Sequence, residues 1–494
     1  MRSPLYFAYR RGADWQMRTK EGLSMEKALA GPEYAYAIVL YLIVMLIIGA
    51  YFGKKSQETK DHFLLAGREL PRLVLVGTLL ATWFGGGTVV GGANFVYTRG
   101  PWAGFLFFVG APLGALTLMW LAPKIRALAK YTVPEILERT YGPTTRLFAT
   151  ICILLAYTGI ISYNYTGAAY IVNLVTGFDQ QYSIIIAAVI MVFLAVTAGM
   201  NSVAWTDALS ALLIFVGMGC GLYFAWSSVG GYGSAYQAMS EAQQSFSGGL
   251  SGLQLLGFIA PLFFLYLGDQ NQIQRYGAAK SPEEARKSAF MLFWGMLCVI
   301  FLVISYCIFA VKLLPGIPGD TAIMRMAILH VPFIFGAPIL CACVAFLVTT
   351  GDSFLLSAAT NIMLDIVHKY FKPDMTDKQL VFGTRIAIIG IGIFSYVMAV
   401  YLPEVLAMQM YSYSIYGAGV TIPLLGAFLW KKVSPAGGLA SVIVGAIAIL
   451  TWDMALKRPM GLNGILVAVP ASIVALVLVS LLIPGKHYAA DAEA

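Results

Sequence analysis

Five polar residues stand in one otherwise apolar stretch: Thr349, Asp352, Ser353, Ser357 and Thr360. Their spacing of i, i+3, i+4, i+8 and i+11 puts them on one face of a helix. Hydroxyls and a carboxylate are hard oxygen ligands. They suit an alkali or alkaline-earth cation, not a soft transition metal. Back-bonding to i−4 carbonyls explains one or two hydroxyls in a membrane helix, not five polar positions around an aspartate. Asp207, in Ala204-Trp205-Thr206-Asp207-Ala208-Leu209, also lies in an apolar run. Asp269, in Gly268-Asp269-Gln270-Asn271-Gln272, lies near a helix end. An aspartate at the centre of a membrane helix costs on the order of 2.5–3.5 kcal/mol on insertion. The sequence offers no intramembrane Lys or Arg as a partner, so such a carboxylate should be protonated or hold a cation. The competing structural reading, an interhelical hydrogen bond or an interfacial carboxylate, is strongest for Asp269.

The run Ala81-Thr82-Trp83-Phe84-Gly85-Gly86-Gly87 is poor helix material, because each glycine costs about 1 kcal/mol against alanine. In a bilayer, broken helices are tolerated where they line a cavity, and there secondary transporters bind ions and substrate. Tyr411, Tyr413 and Tyr416 follow further on. An aromatic beside a carboxylate suits an ammonium group; helix packing or lipid anchoring is the plainer reading of these tyrosines.

The elements that must position these residues are membrane helices. Of 494 residues, 59% are hydrophobic and 11% charged, against nearer 25% charged in soluble domains. Apolar stretches of about 20 residues, the length that spans a bilayer, recur at 34–53, 71–97, 101–122, 145–174, 182–199, 203–228, 253–270, 287–314, 333–365, 382–402, 404–430, 436–456 and 462–484. These predict thirteen helices, since a lone strand leaves its backbone unpaired in lipid. The expected organisation is an N-terminal segment 1–33, one transmembrane domain 34–484 and a short tail 485–494. The six cysteines sit in apolar runs and form neither a disulfide framework nor a metal site. The net charge of +8 comes from short loops, not from a nucleic-acid-binding stripe.

Lys and Arg crowd alternate loops, including Lys54, Lys55, Arg126, Lys130, Arg275, Lys280, Lys369 and Lys372. The opposite loops hold few, such as Arg99 and Lys312. This bias predicts an N-terminus outside and a C-terminus inside a cytoplasmic (inner) membrane. Residues 1–27 violate the rule with Arg2, Arg10, Arg11, Arg18, Lys20 and Lys27. They do not read as a signal peptide. Lys20-Glu21-Gly22 can be encoded by a purine-rich ribosome-binding sequence, so translation is expected to start at Met25 and residues 1–24 to be untranslated.

Several motifs together resemble the sodium/solute symporter family from about residue 34 onward. They are Phe63-Leu64-Leu65-Ala66-Gly67-Arg68, Trp205-Thr206-Asp207, Gln274-Arg275 with Ala278-Ala279-Lys280, and Thr349 to Ser353 running on to Leu364-Asp365-Ile366. The segment from Ala81 to Gly87 and the pair Asp352-Ser353 look most like the high-affinity choline transporter branch. The resemblance implies an all-α fold of the leucine-transporter type. Two inverted five-helix repeats, 71–228 and 253–430, would follow one extra helix at 34–53 and precede two at 436–484. It also implies a sodium site made by the carbonyls of Ala81, Phe84 and Phe346 and the hydroxyls of Thr349 and Thr350. A second sodium site, or a proton site, would use Asp207, Thr349, Asp352 and Ser353. Many members carry a hydroxyl where this chain has Asp352, so two carboxylates would face one ion. Trp83 and Gln409 match substrate-contacting positions. Asp269, where the choline branch has an aromatic, and Tyr411 complete the substrate candidates.

The expected function is sodium-driven import of a small organic solute by alternating access, with the sodium ion as the only cofactor. The solute is an amine, amino acid, carboxylate or sugar, and the protein is expected to work as a monomer in the bilayer with no nucleic-acid partner. A proton-coupled symporter of the same fold is the nearest alternative, because of Asp352. A non-transporting sodium channel or sensor is another, without a charged ring or filter motif to support it. No H-E-x-x-H or Gly-x-Ser-x-Gly sequence suggests an enzyme.

Overall fold

The computed structural model describes residues 29–53, 60–128, 131–197 and 199–485. The proposed start at Met25, the basic segment before it and the tail beyond residue 485 lie outside them. Among the described residues, twelve helices are long and apolar enough to cross a bilayer, and thirteen spans result when one sharply bent pair counts as a single span.

In chain order the helices that matter here are α1 (Pro32–Gly53), α2 (Arg72–Trp83), α3 (Ala93–Arg99), α4 (Pro101–Leu128), α5 (Val133–Tyr141), α6 (Pro143–Thr176), α7 (Gln180–Thr197), α8 (Met200–Val229), α9 (Gly252–Gly268), α10 (Gln270–Gly277), α11 (Pro282–Leu313), α12 (Ala322–Leu329), α13 (Phe333–Asn361), α14 (Asp377–Tyr401), α15 (Val405–Tyr416), α16 (Ile422–Leu429), α17 (Pro435–Leu450) and α18 (Ile465–Leu482). Their starts follow local rules. Thr132 caps α5 by accepting from the Glu135 amide, and Ser281 caps α11 with Pro282 behind it. The glycines at 100 and 142 take positive φ at sharp corners between helices.

Burial separates scaffold from periphery. The most apolar window of the α13 span is 78% buried, and that of α1 only 17%. The helix carrying the hydroxyl stripe is thus enclosed by protein, packed against α6 and α8, while α1 faces lipid.

Two helices are interrupted. The first break follows α2. The chain turns at Phe84 (φ −85°, ψ 47°), passes through a wide π-type turn over Gly87–Gly92 and resumes as α3, bent by 57°. Crowding explains the glycines. A Cβ on Gly85 would lie 2.7 Å from Thr350 Oγ1 and Cγ2, and one on Gly87 2.6 Å from Tyr413 Oη. The second break was not expected. The seventh apolar run does not end in a loop at residue 270. Asp269 (φ −58°, ψ 119°) interrupts it, and α10 continues with all of its side chains buried. Most of its polar groups bond to one another or to neighbours, while among the described residues Asn271 Nδ2 and Tyr276 Oη are buried without a partner. Gln270 Nε2 donates to Asn361 Oδ1 at 2.6 Å, and Gln274 Nε2 to the Tyr131 carbonyl at 2.8 Å.

Candidate functional site

The first cation set gathers around the first break. Thr350 Oγ1, on α13, donates to the Ala81 carbonyl of α2 at 3.1 Å. The rings of Phe84 and Phe346 pack edge to face at 4.9 Å, so their residues also meet here. Thr349 Oγ1 is buried without a hydrogen bond. A hydroxyl and a carbonyl already at contact distance, beside an unbonded hydroxyl, are a donor set that a small hard cation fits. Asn164 on α6 steadies the break from the other side, its Oδ1 accepting from the Gly86 amide at 3.0 Å.

The second set is also brought together, with a correction. The expectation that no intramembrane cation would pair with these aspartates fails at Arg275. This residue is fully buried on α10. Its Nη2 lies 3.4 Å from Asp207 Oδ2 and donates to Ser353 Oγ at 2.9 Å. Its Nε donates to Thr78 Oγ1 at 2.8 Å, and Thr78 Oγ1 donates to Asp207 Oδ2 at 2.5 Å. The sequence misplaced Arg275 because a polar run after an apolar one reads as a loop. Asp352 is bonded by its neighbour Ser353 alone, through a long contact from Oγ at 3.4 Å and through the Ser353 backbone. Asp207 Oδ1 is buried and unbonded, and Thr349 faces the same carboxylate. Oxygen atoms therefore remain open in this set although one positive charge is already built in.

The rest of the stripe has a structural task. Ser357 Oγ donates to Asn271 Oδ1 at 2.6 Å and Gln274 Oε1 at 2.9 Å, tying α13 to α10. Thr360 back-bonds to the Leu356 carbonyl.

Between the two breaks lies a small cavity, ≈ 30 Å³ in this conformation. Trp83, Tyr163, Tyr266, Phe354, Tyr413 and Asp269 are among its walls. Asp269 Oδ1 accepts from Tyr157 Oη at 2.6 Å and from the Asn271 amide at 3.3 Å. Gln409 is buried beside Gly87 and Gly91, its Oε1 unbonded. Tyr411 does not join them. Its hydroxyl points to Met454 Sδ at 3.8 Å, and Tyr413, two residues on, is the tyrosine of α15 that reaches the cavity. The sequence reading also missed Tyr157, Tyr163 and Asn164. The signal was present in Tyr157-Thr158 and Ser162-Tyr163-Asn164-Tyr165-Thr166, a polar cluster in the middle of an apolar run.

A second buried ion pair ends the α13 span. Arg146 Nε donates to Asp365 Oδ1 at 2.8 Å, Thr132 Oγ1 donates to the same atom at 2.9 Å, and Arg146 also bridges to Glu138. Burial works against the Glu138 charge, but hydrogen bonds from Lys369 and Arg146 prevail and hold its carboxyl below the usual range.

Comparison with known proteins matches this arrangement. A family model described as "Sodium:solute symporter family" matches residues 63–445. The chain is 25% identical over 427 residues to the high-affinity proline transporter PutP of Bacillus subtilis (strain 168), covering 83% of this chain and 89% of that protein. It is 24% identical over 445 residues to the human high affinity choline transporter 1, covering 84% of this chain and 76% of that one. Among solved structures, a Na+-coupled sialic acid symporter in a substrate-bound outward-open state aligns with a TM-score of 0.78 at 20% identity, over 92% of this chain and 98% of the other. MhsT in complex with L-phenylalanine aligns at 0.55 and 14% identity, over 84% and 98%. These likenesses establish the fold as the leucine-transporter type.

Proposed function

The chain belongs to the sodium:solute symporter family, a sodium-coupled symporter of small solutes, and from that premise we propose how its residues divide the work. The coupling ion binds at the carbonyls of Ala81, Phe84 and Phe346 and the hydroxyls of Thr349 and Thr350. The solute binds on the other side of the first break, in the cavity walled by Trp83 and Asp269. Binding of the ion draws α13 and the end of α2 together and fixes the wall the solute meets. Ion and solute thereby favour the same conformation, which is what coupling requires. The outward- and inward-open states exchange by movement of helices around this centre. The Lys/Arg distribution supports an orientation with the C-terminus inside, and an inward sodium gradient would then drive import.

One observation carries this reading: the Thr350 hydroxyl already contacts the Ala81 carbonyl across the break. At the second set, Arg275 supplies Asp207 with a permanent cation. This favours a single sodium per cycle. The test uses the purified full-length protein. Sodium chloride should raise its melting midpoint in a saturable way, and potassium chloride at equal ionic strength should not. Thr350→Ala, which removes one oxygen ligand, should raise the half-saturating sodium concentration about tenfold, the equivalent of roughly 1.4 kcal/mol. Uptake into proteoliposomes that ignores sodium at constant pH would overturn the assignment and favour proton coupling.

A further inference from the structure

We infer that the solute carries a protonated amine whose N–H groups donate to Asp269. This deepens the proposed function and rests on its placement of the solute in the cavity between the breaks.

The argument begins with charge. Asp269 is the only Asp, Glu, Lys, Arg or His among the residues lining the cavity. The cation on the same short helix, Arg275, is held by Thr78, Asp207, Ser353 and the Asn271 carbonyl. Among the described residues the carboxylate therefore faces the solute space with no cation bonded to it, and Arg275 acts on it only through space. A buried carboxylate is disfavoured until a positive charge reaches it. A solute bringing that charge gains what the protein withholds, whereas an anionic solute meets repulsion.

Geometry narrows the chemistry further. Asp269 Oδ1 accepts from Tyr157 Oη and the Asn271 amide, so the group is fixed in place before any solute arrives. Tyr416 fixes the backbone on both sides of it. Its hydroxyl donates to the Gly268 carbonyl at 2.9 Å and accepts from the Gln270 amide at 3.0 Å. A carboxylate has about four lone-pair sites and can take further donors. Around it stand the rings of Trp83, Tyr163, Tyr266, Phe354 and Tyr413. Aromatic faces attract a cation without competing for its hydrogen bonds. Asp269 also has two structural bonds, so it is a helix cap and a cavity wall at once.

The experiment compares matched amines and alcohols of three sizes on the full chain at constant sodium: ethanolamine and ethylene glycol, cyclohexylamine and cyclohexanol, benzylamine and benzyl alcohol. The readouts are the melting midpoint and tryptophan fluorescence. At least one amine should give a saturable response, with its alcohol at least tenfold weaker. Asp269→Asn should weaken that amine at least tenfold and leave the alcohol unchanged, and Asp269→Glu should recover part of the loss. Choline, the quaternary partner of ethanolamine, should bind more weakly because it has no N–H to donate. L-prolinamide and L-proline, sharing one ammonium group, distinguish a simple cation from a zwitterion, and either is supported only if Asp269→Asn abolishes its response. Equal affinity for amine and alcohol, an Asp269→Asn protein that keeps the amine, or no response to any amine would overturn the inference. The sodium-induced shift of the same Asp269→Asn protein shows whether it is folded. A preserved sodium shift with failed amine binding refutes this inference alone, while loss of the sodium shift in the parent protein refutes the coupling scheme.

Discussion

The two interrupted helices border the same cavity and are built by opposite means. The first is made by removal. Glycines after Trp83 leave no side chain, so that Thr350 and Tyr413 can approach the main chain. The second is made by addition. Asp269 caps the new helix while Tyr157 and Tyr416 bond its flanks. Removal leaves a pliant hinge whose geometry depends on what binds beside it. Addition yields a rigid junction with a charge. The ion is assigned to the pliant break and the ammonium group to the rigid one, which is the division a coupled machine needs: one element that responds and one that discriminates.

The strongest way to break this contrast is to fill the first break. Gly85→Val places a branched side chain where even a Cβ meets Thr350 at 2.7 Å. Sodium-dependent uptake should fall roughly 100-fold, the usual cost of misplacing a positioning group by about 1 Å. Surface labelling should show normal insertion. Uptake close to that of the parent would mean the break is packing alone.

A smaller effect is expected beside the second break. Arg275→Gln leaves Asp207 buried without its cation, a loss of about 3–5 kcal/mol. Thermal unfolding should show it, and Asp207→Asn added to Arg275→Gln should restore most of the stability. If the double variant is no more stable than the single one, Arg275 is not the counter-charge of Asp207.

The smallest effect concerns the outer hold on the first break. Asp320, in the short turn between α11 and α12, packs against Asn94 of α3. Burial pushes its carboxyl up to about 6, with a hydrogen bond to Asn94 opposing and Glu404 reinforcing the shift. A raised carboxyl pKa means stability that is complete below about pH 4 and is lost as pH rises through about 6. Asp320→Asn should flatten that decline and raise the melting midpoint at pH 7 by about 1–2 °C. An unchanged pH profile would show that this contact does not hold α3.

The same contrast explains what the sequence disclosed. Thirteen spans were legible because lipid imposes one length and one composition on every one of them. The first break was legible because three consecutive glycines have few other uses in a membrane helix. The second was hidden. Its signal is a single aspartate followed by Gln270, Asn271, Gln272, Gln274 and Arg275, a composition that reads as loop. These residues enter the bundle only because they bond to one another and to α13. Pairings between distant helices cannot be read from one chain, so Arg275 with Asp207 and Arg146 with Asp365 came from the structure. Tyr411 shows the finer limit, since a two-residue difference along α15 separates a wall of the cavity from a contact with Met454.

The burial of Arg275 has an electrical consequence. Its charge is part of the chain, so it balances Asp207 without being released to either side of the membrane. With one sodium per cycle, two positive charges cross with each solute molecule that is a simple ammonium cation, and one with a zwitterion. A membrane potential acts on each elementary charge with about 2.3 kcal/mol per 100 mV. Turnover would therefore register as inward current, and an inside-negative voltage would drive accumulation even where the sodium gradient is shallow.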